Sequence, residues 1–318
     1  MTKISVILPN YNHHKFLNQR LDSIFNQTYN SFEVIILDDC SSDESCNILT
    51  QFSKKSKVAH FIINENNSGS PFSQWRKGIE LAKGEYIWIA ESDDFADSTF
   101  LTEMVCLLDQ NPTAGLAYCQ SHIVDEDSHI LRDNYSWTDD LDVTRWRKQF
   151  KNKGLDEIQH FLSKKCTIPN ASAVLIRKSA IQIKDIQTQF KKMGDWYLWI
   201  SILKNHDVVY IPKLLNYFRD TSYSTRVLDT IPKLLNYYEE KIQILTYLAK
   251  VLPVKNTYVT SEKRQMIKEY ISIVSIKSLI NSKFYYKSLL LHEFIFTIAL
   301  LLKKTDFKKL FFRKIITR

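Results

Sequence analysis

Short runs rich in β-branched residues alternate with amphipathic stretches through the first half of the chain. That alternation admits little other than a mostly parallel sheet flanked by helices. Ile4 to Leu8 reads as a strand, after which Phe16, Leu17, Leu21, Ile24 and Phe25 recur at helical spacing. Glu33 to Leu37 is a second strand, followed by a helix that Ser42 or Asp43 can cap, and Ala59 to Ile63 is a third. Pro71 to Ala82 is a helix with proline in its first turn, and Tyr86 to Ala90 is a fourth strand. An open sheet of this kind takes its ligand at the C-terminal ends of its strands. Three segments fall there: Pro9-Asn10-Tyr11-Asn12, Asp38-Asp39 and Glu91-Ser92-Asp93-Asp94.

Beyond Asp94 the spacing predicts a helix over Phe100 to Leu108, a strand over Gly115 to Ile123, a short strand over Ala173 to Ile176 and a helix starting at Trp196. From about Leu228 the chain reads as almost wholly helical. The charge balance shifts at the same place. Thr225 to Arg318 carries 18 Lys and Arg against 7 Asp and Glu, a net +11, and the rest stands at −3. The 318 residues therefore divide into 1–224, an α/β body, and 225–318, a helical and basic C-terminal region. Six glycines and seven prolines leave no room for a low-complexity linker, so the boundary rests on the change of pattern. The heptapeptide Ile211-Pro212-Lys213-Leu214-Leu215-Asn216-Tyr217 recurs at Ile231 to Tyr237. One recurrence is not a solenoid; the first copy is expected to be extended and the second helical.

Asp38, Asp39, Asp93 and Asp94 stand at strand tips, with Glu91 beside the last pair. Carboxylates this close repel one another, so such a group serves to hold a hard divalent cation or to accept hydrogen bonds from a ligand. Mg2+ or Mn2+, bound by one or two carboxylates and by diphosphate oxygens, suits a phosphate-bearing substrate. The plainer alternative is that Asp38 and Asp43 cap the following helix and that Asp93 and Asp94 do so before Asp97-Ser98. Two acidic pairs on one sheet edge favour the ligand. Tyr11 offers a ring on which a nucleobase can stack, although a loop tyrosine is more commonly packed.

Ser5-Val6-Ile7-Leu8-Pro9-Asn10-Tyr11-Asn12, the run from Phe32 to Asp43, and Leu81-Ala82-Lys83-Gly84-Glu85-Tyr86-Ile87 leading into Glu91-Ser92-Asp93-Asp94 together resemble the family 2 glycosyltransferases with the GT-A fold. The resemblance spans roughly residues 3 to 224. It implies an inverting, metal-dependent enzyme that transfers a sugar from a nucleotide diphosphate-sugar, UDP- or dTDP-linked, to a glycan or lipid-linked acceptor in surface polysaccharide biosynthesis. Mn2+ or Mg2+ is its implied cofactor. Pro9 and Tyr11 match the loop framing the donor base, Asp39 the carboxylate that accepts from the base, and Asp93 the region contacting diphosphate and ribose. Glu91, Asp93 and Asp94 match the acidic metal signature, which usually begins with Asp where this chain has Glu91; which two of the three bind the cation stays open. Met193-Gly194-Asp195-Trp196-Tyr197-Leu198-Trp199 resembles the segment carrying the catalytic base, which puts that role on Asp195. Capping of the helix that bears Trp196 and Trp199 is the alternative, and one carboxylate can do both. Arg76 stands in for a donor-contacting arginine, since Trp75-Arg76-Lys77 precede Gly78-Ile79 where the family often has Arg-Asn. Tyr217 to Ser224 resembles a stretch that commonly holds His at the position of Thr221, and Arg219 within it is a candidate for diphosphate or acceptor binding. Asn170-Ala171-Ser172 resembles the family's acceptor-side turn.

The eight histidines lack metal-ligand spacing, and His13-His14 read as solvated or packed. Five scattered cysteines without a Cys-x-x-Cys pair, and an N-terminus that runs straight into a strand, predict a cytoplasmic protein. Phe294 to Leu302 is far short of the ~20 residues of a membrane span. Past it, Phe307, Leu310, Phe311 and Ile315 alternate with Lys308, Lys309, Arg313 and Lys314. That pattern predicts a peripheral helix on an anionic membrane surface, on the inner face, against the alternative of a cap packed on the enzyme. The competing reading of the whole chain is a non-catalytic nucleic-acid or membrane-surface binder using this basic region. The acidic body offers no groove-reading motif, and no nucleic-acid partner is expected.

Overall fold

The computed structural model describes residues 2–220, 230–253 and 256–273. Thr221 and the basic amphipathic segment 307–315 lie outside the described residues. The chain divides into two compact units, Met1–Ser224 and Thr225–Arg318.

In the first unit β1 (Ile4–Asn10), α1 (His14–Phe25), β2 (Phe32–Asp38), α2 (Ser45–Phe52), β3 (Val58–Ile63), α3 (Pro71–Leu81) and β4 (Tyr86–Ile89) follow the alternation of the sequence. The four strands pair in the order β3-β2-β1-β4, all parallel. Ile4, Val6 and Leu8 point to one face of β1, into a core with Leu17, Leu21 and Ile24 of α1. Ile7 points to the other face, against α3, where a β-carbon added to Gly78 would lie 2.4 Å from its Cγ2. Helices on both faces explain why these strands read as continuous apolar runs. The chain leaves β1 towards β2 on one side and enters β4 on the other. Diverging connections of this kind open a crevice at the C-terminal strand ends, and the loop after β1 and the turn after β4 flank it.

The remaining elements extend this sheet. They are β5 (Phe95–Ala96), α4 (Phe100–Asp109), β6 (Ala114–Val124), β7 (Ile130–Asp133), β8 (Phe150–Asn152), α5 (Gly154–Glu157), β9 (Val174–Arg177), α6 (Gly194–Leu203) and β10 (Asp207–Arg219). β9 lies antiparallel between β4 and β6, and β10 runs parallel to β6. β5 and β8 pair antiparallel with β10, and β7 with β6. These three strands, of two to four residues, are too short to show a period and do not stand out in the sequence.

In the second unit α7 (Ile231–Val251) and α8 (Thr257–Ile273) are joined by Tyr270 Oη donating to Glu239 Oε1 (2.7 Å) and Tyr238 Oη to Glu269 Oε2 (3.0 Å). No helix among the described residues is long and apolar enough to cross a membrane. The two copies of the heptapeptide part as expected. The first lies in β10 and the second opens α7, where the Thr230 hydroxyl accepts from Lys233 N and Pro232 sits in the first turn.

Gly84 precedes β4, and a β-carbon there would meet Ser5 N at 2.5 Å and Ile4 C at 2.6 Å, both backbone. Gly84→Ala is therefore expected to destabilise the protein by about 2 kcal/mol, read as a lower denaturant midpoint at unchanged slope.

Candidate active site

The loop after β1 is built by hydrogen bonds to the tip of β2. Pro9 continues the strand opposite Leu37. The Asn10 side-chain amide donates to Asp38 Oδ2 (2.7 Å) and Ser41 Oγ (3.2 Å), and the Asn10 backbone carbonyl accepts from Asp39 N (2.9 Å). Asn12 takes a left-handed φ of 55°, a conformation that Asn tolerates better than most residues. It is held there by its N–H on Ser41 Oγ and by Ser42 N on its side-chain oxygen. Tyr11, between these anchors, is 47% exposed. A ring presented from a tightly held loop is available for stacking.

Asp38 and Asp39 are both buried, and neither caps α2. Asp38 accepts from Asn10, from Ser41 N (2.8 Å) and from Ser41 Oγ (2.7 Å). Asp43 takes the position near the helix start, accepting from Ser45 N and His14 N. Asp39 Oδ1 accepts from Asn64 (2.7 Å), Gln74 (2.6 Å) and Ser68 N (3.0 Å); Oδ2 accepts from Ser68 N (3.1 Å) and Ser68 Oγ (2.8 Å). The expected acceptor for a nucleobase is thus occupied in holding the 64–70 loop against β2. Asn64, Ser68 and Gln74, which hold Asp39, are residues that the sequence did not single out.

The turn after β4 concentrates the charge. Glu91 Oε1 accepts from the Trp75 indole (2.8 Å) of α3, and its N–H donates to Ser172 Oγ (3.1 Å). Asp94 is buried; Oδ1 accepts from Arg219 N and Oδ2 from the Asn170 amide, both at 3.0 Å. Asp93 contributes its carbonyl to Arg219 Nε (2.7 Å), while its half-buried carboxylate accepts no hydrogen bond from the described residues. Of the three acids only Asp93 has both carboxylate oxygens available to a ligand. Neither Asp93 nor Asp94 caps α4, whose start at Thr99 has no side-chain cap; Asp97 accepts from Thr99 N at 2.8 Å just before it.

Asn170, Ser172 and Arg219 are all bonded to this turn. Asn170 and Ser172, read as acceptor-side, are its supports: Asn170 holds Asp94, and Ser172 holds the Glu91 N–H while its carbonyl accepts from the Trp88 indole (2.8 Å). Arg219 was a candidate for diphosphate or acceptor. It is buried, and its five side-chain N–H groups go to the carbonyls of Asp93, Asp125 and Glu126, to Gln19 Oε1 and to Ser128 Oγ. None is left for a ligand. His13, read as solvated or packed, lies with Nδ1 2.8 Å from Ser92 Oγ; its place directly after the first loop was the available signal.

Burial and mutual repulsion raise the pKa values of Glu91 and Asp94 in the turn. Burial first, then the Asp93 charge, pushes Glu91 up to about 8, and the same two causes raise Asp94. Beneath the turn Arg20 of α1 is fully buried, its guanidinium 4.7 Å from the Trp88 ring. The charges of Asp94, Glu91 and Asp93 act on it.

Asp195 lies in the first turn of α6, half-buried, its Oδ1 accepting from Trp196 N (2.7 Å). A path of contacts ties this helix start to the acidic turn. A β-carbon on Gly194 would lie 2.7 Å from the Phe72 ring, Phe72 meets Trp75 edge to face at 4.9 Å, and Trp75 donates to Glu91. Arg76 donates from Nη2 to the Ile186 carbonyl (2.6 Å) and so pins α3 to the segment before α6.

A parallel sheet with a polar, acidic crevice at the ends of β1, β2 and β4 is the architecture of nucleotide-binding α/β proteins. The model for glycosyl transferase family 2 matches residues 5–182, and the chain belongs to that family. A poly(ribitol-phosphate) beta-glucosyltransferase of Bacillus spizizenii is 41% identical over 101 residues, 31% of this chain and 16% of that one. A GalNAc(5)-diNAcBac-PP-undecaprenol beta-1,3-glucosyltransferase of Campylobacter jejuni is 24% identical over 222 residues, 69% of this chain and 65% of that one. The chain thus spans less than two thirds of either relative. The crystal structure of Staphylococcus aureus TarS 1-349 in complex with UDP-GlcNAc shares the fold, with a TM-score of 0.62 and 17% identity over 94% of this chain and 80% of that one.

Two outcomes test the site's energetics. Glu91 is raised in the folded protein, so its contribution to stability is present below the unfolded value of about 4.5 and is lost as pH rises towards about 8. Glu91→Gln should therefore gain in melting temperature over the parent as pH is taken from 5 to 8, and a constant difference would contradict the assignment. Arg219→Met should cost about 3 kcal/mol or more, because it strands the carbonyls of Asp93, Asp125 and Glu126 and removes a cation that the Asp94 and Asp93 charges attract, as read by chemical denaturation.

Proposed function

We propose that this chain is an inverting, metal-dependent sugar transferase that moves a glycosyl group from a UDP- or dTDP-linked donor to a hydroxyl of a glycan or lipid-linked acceptor, as in surface polysaccharide synthesis. The observation that carries this reading is the convergence of an exposed Tyr11 and the unbonded Asp93 carboxylate on one crevice, with Asp195 tied to the same edge through Phe72 and Trp75. Among the described residues no three His, Cys, Asp or Glu side chains form a ready-made metal cage. The donor set fits Mn2+ or Mg2+ in the other way such ions are held, by one carboxylate with the remaining positions left to water and diphosphate oxygens. Asp93 is that carboxylate; Glu91 and Asp94, held by Trp75, Asn170 and Arg219, shape the turn around it. When bound, the cation supplies charge neutralisation for the departing diphosphate.

The chain's own groups carry the remaining steps. Tyr11 stacks on the donor base, and the Asn10–Ser41–Ser42 bonds hold its loop still. The 64–70 loop, fastened on Asp39, walls the same end of the crevice. Asp195 takes the proton of the acceptor hydroxyl as its oxygen attacks the anomeric carbon. The bond from that carbon to the diphosphate oxygen breaks on the opposite face, and the linkage inverts. The relatives' undecaprenol-linked and poly(ribitol-phosphate) substrates support an acceptor of this broad class.

Asp195→Asn is expected to lower turnover by roughly a hundredfold to ten-thousandfold while leaving donor affinity within about threefold. Asp93→Asn should abolish the stabilisation that UDP with Mn2+ gives to thermal unfolding. Retention of both transfer and cation-dependent stabilisation in Asp93→Asn at parental melting temperature would remove it from the site.

A further inference from the structure

Arg20 lies on the face of α1 that meets the sheet, among Leu17, Leu21 and Ile24, and has no exposed surface. Its Nε, Nη1 and Nη2 have no hydrogen-bond partner among the described residues. A guanidinium taken out of water without partners is costly, and a leucine or methionine would fill the same space. Burial lowers its pKa only to about 10, so it remains a cation at neutral pH. Two features offset the burial: the Trp88 ring at 4.7 Å, and the charges of Asp94, Glu91 and Asp93 above it.

The charge balance of the crevice follows. Three carboxylates stand over two buried guanidiniums, Arg20 and Arg219, each attracted by Asp94 and Asp93. With all three carboxylates ionised the formal sum is one negative charge, and with Glu91 protonated it is zero; either is a weak field for a divalent ion. A nucleoside diphosphate brings the further negative charge and the oxygens that the cation lacks.

We propose that Arg20 is a positioning residue whose buried charge offsets the acidic turn, so that the crevice holds a divalent cation weakly by itself and firmly only together with the diphosphate of the donor. Arg20 touches neither ligand; it acts through the turn. The inference rests on the reading of Asp93 as the cation's ligand. It explains why a buried, unpartnered guanidinium is kept beneath this turn: without it, the turn would bind cations whether or not donor was present.

The test is Mn2+ binding to the full chain, read from the free-ion electron paramagnetic resonance signal with and without UDP or dTDP. The parent is expected to bind Mn2+ at least about tenfold more tightly with the nucleotide. Arg20→Met should bind Mn2+ alone about tenfold more tightly than the parent, whereas Arg20→Lys, which keeps the charge, should behave as the parent does. Circular dichroism establishes that each variant is folded, and Arg20→Gln is a second neutral replacement. A folded neutral variant with parental Mn2+ affinity overturns the proposal. So does a parent that binds UDP or dTDP indifferently to Mn2+, a result that needs no variant and leaves the sugar-transfer reading intact. Failure of the parent to bind Mn2+ and either nucleotide in any combination overturns both.

Discussion

The crevice depends on holding three carboxylates within four residues at the end of β4. Such a turn would push itself apart in an apolar setting, and the fold answers with two buried cations and a set of directed hydrogen bonds. Arg219 reaches back from the end of β10, filling both a backbone and a side-chain role. Arg20 stands beneath from α1, and Asn170 and Ser172 close the remaining side from the turn before β9. Elements far apart in sequence thus meet at four residues, and the order of the sheet is what allows it.

The same bonds sort the acidic residues by task. Asp38, Asp39 and Asp94 have both carboxylate oxygens engaged by the protein, which fixes the loops that carry them. Asp93 has a free carboxylate because its turn is held through its carbonyl instead. The Glu at position 91 fits this picture: its extra methylene lets it reach the Trp75 indole on α3, and through Trp75 and Phe72 it is linked to the start of α6 and to Asp195. The substitution that made the acidic signature unusual is thereby the contact joining the acidic turn to the helix of the proposed base.

Much of this was legible in the sequence because it is local or periodic. The parallel half of the sheet follows from apolar runs alternating with amphipathic helices, and three of the crevice's segments follow from where those strands end. What could not be read was the partner of each polar side chain. Arg219 and the Asn170–Ser172 turn looked like ligand-binding residues because Arg, Asn and Ser are what ligands need; the protein's own carboxylates and carbonyls need them too. Arg20 drew no attention, since one arginine among apolar residues at helical spacing usually marks the edge of a solvated face.

The repeated heptapeptide shows the division most directly. Seven identical residues form part of a strand at Ile211 and the first turns of a helix at Ile231. Flanking residues visible in the sequence point each copy the right way. Val208, Val209 and Tyr210 lead into the first, and Thr230 caps the second with Pro232 inside its first turn. Which side chains of the first copy then become buried is a tertiary matter. Asn216 has no exposed surface and donates to Ser121 Oγ because β10 lies beside β6, whereas its counterpart Asn236 donates to Glu240 one turn along its own helix. The sequence by itself determined the alternation of elements, the acidic turns and the family. Only the tertiary structure decided which charges face one another across the sheet edge, because hydrogen-bond partners distant in the chain are chosen by packing and not by local propensity.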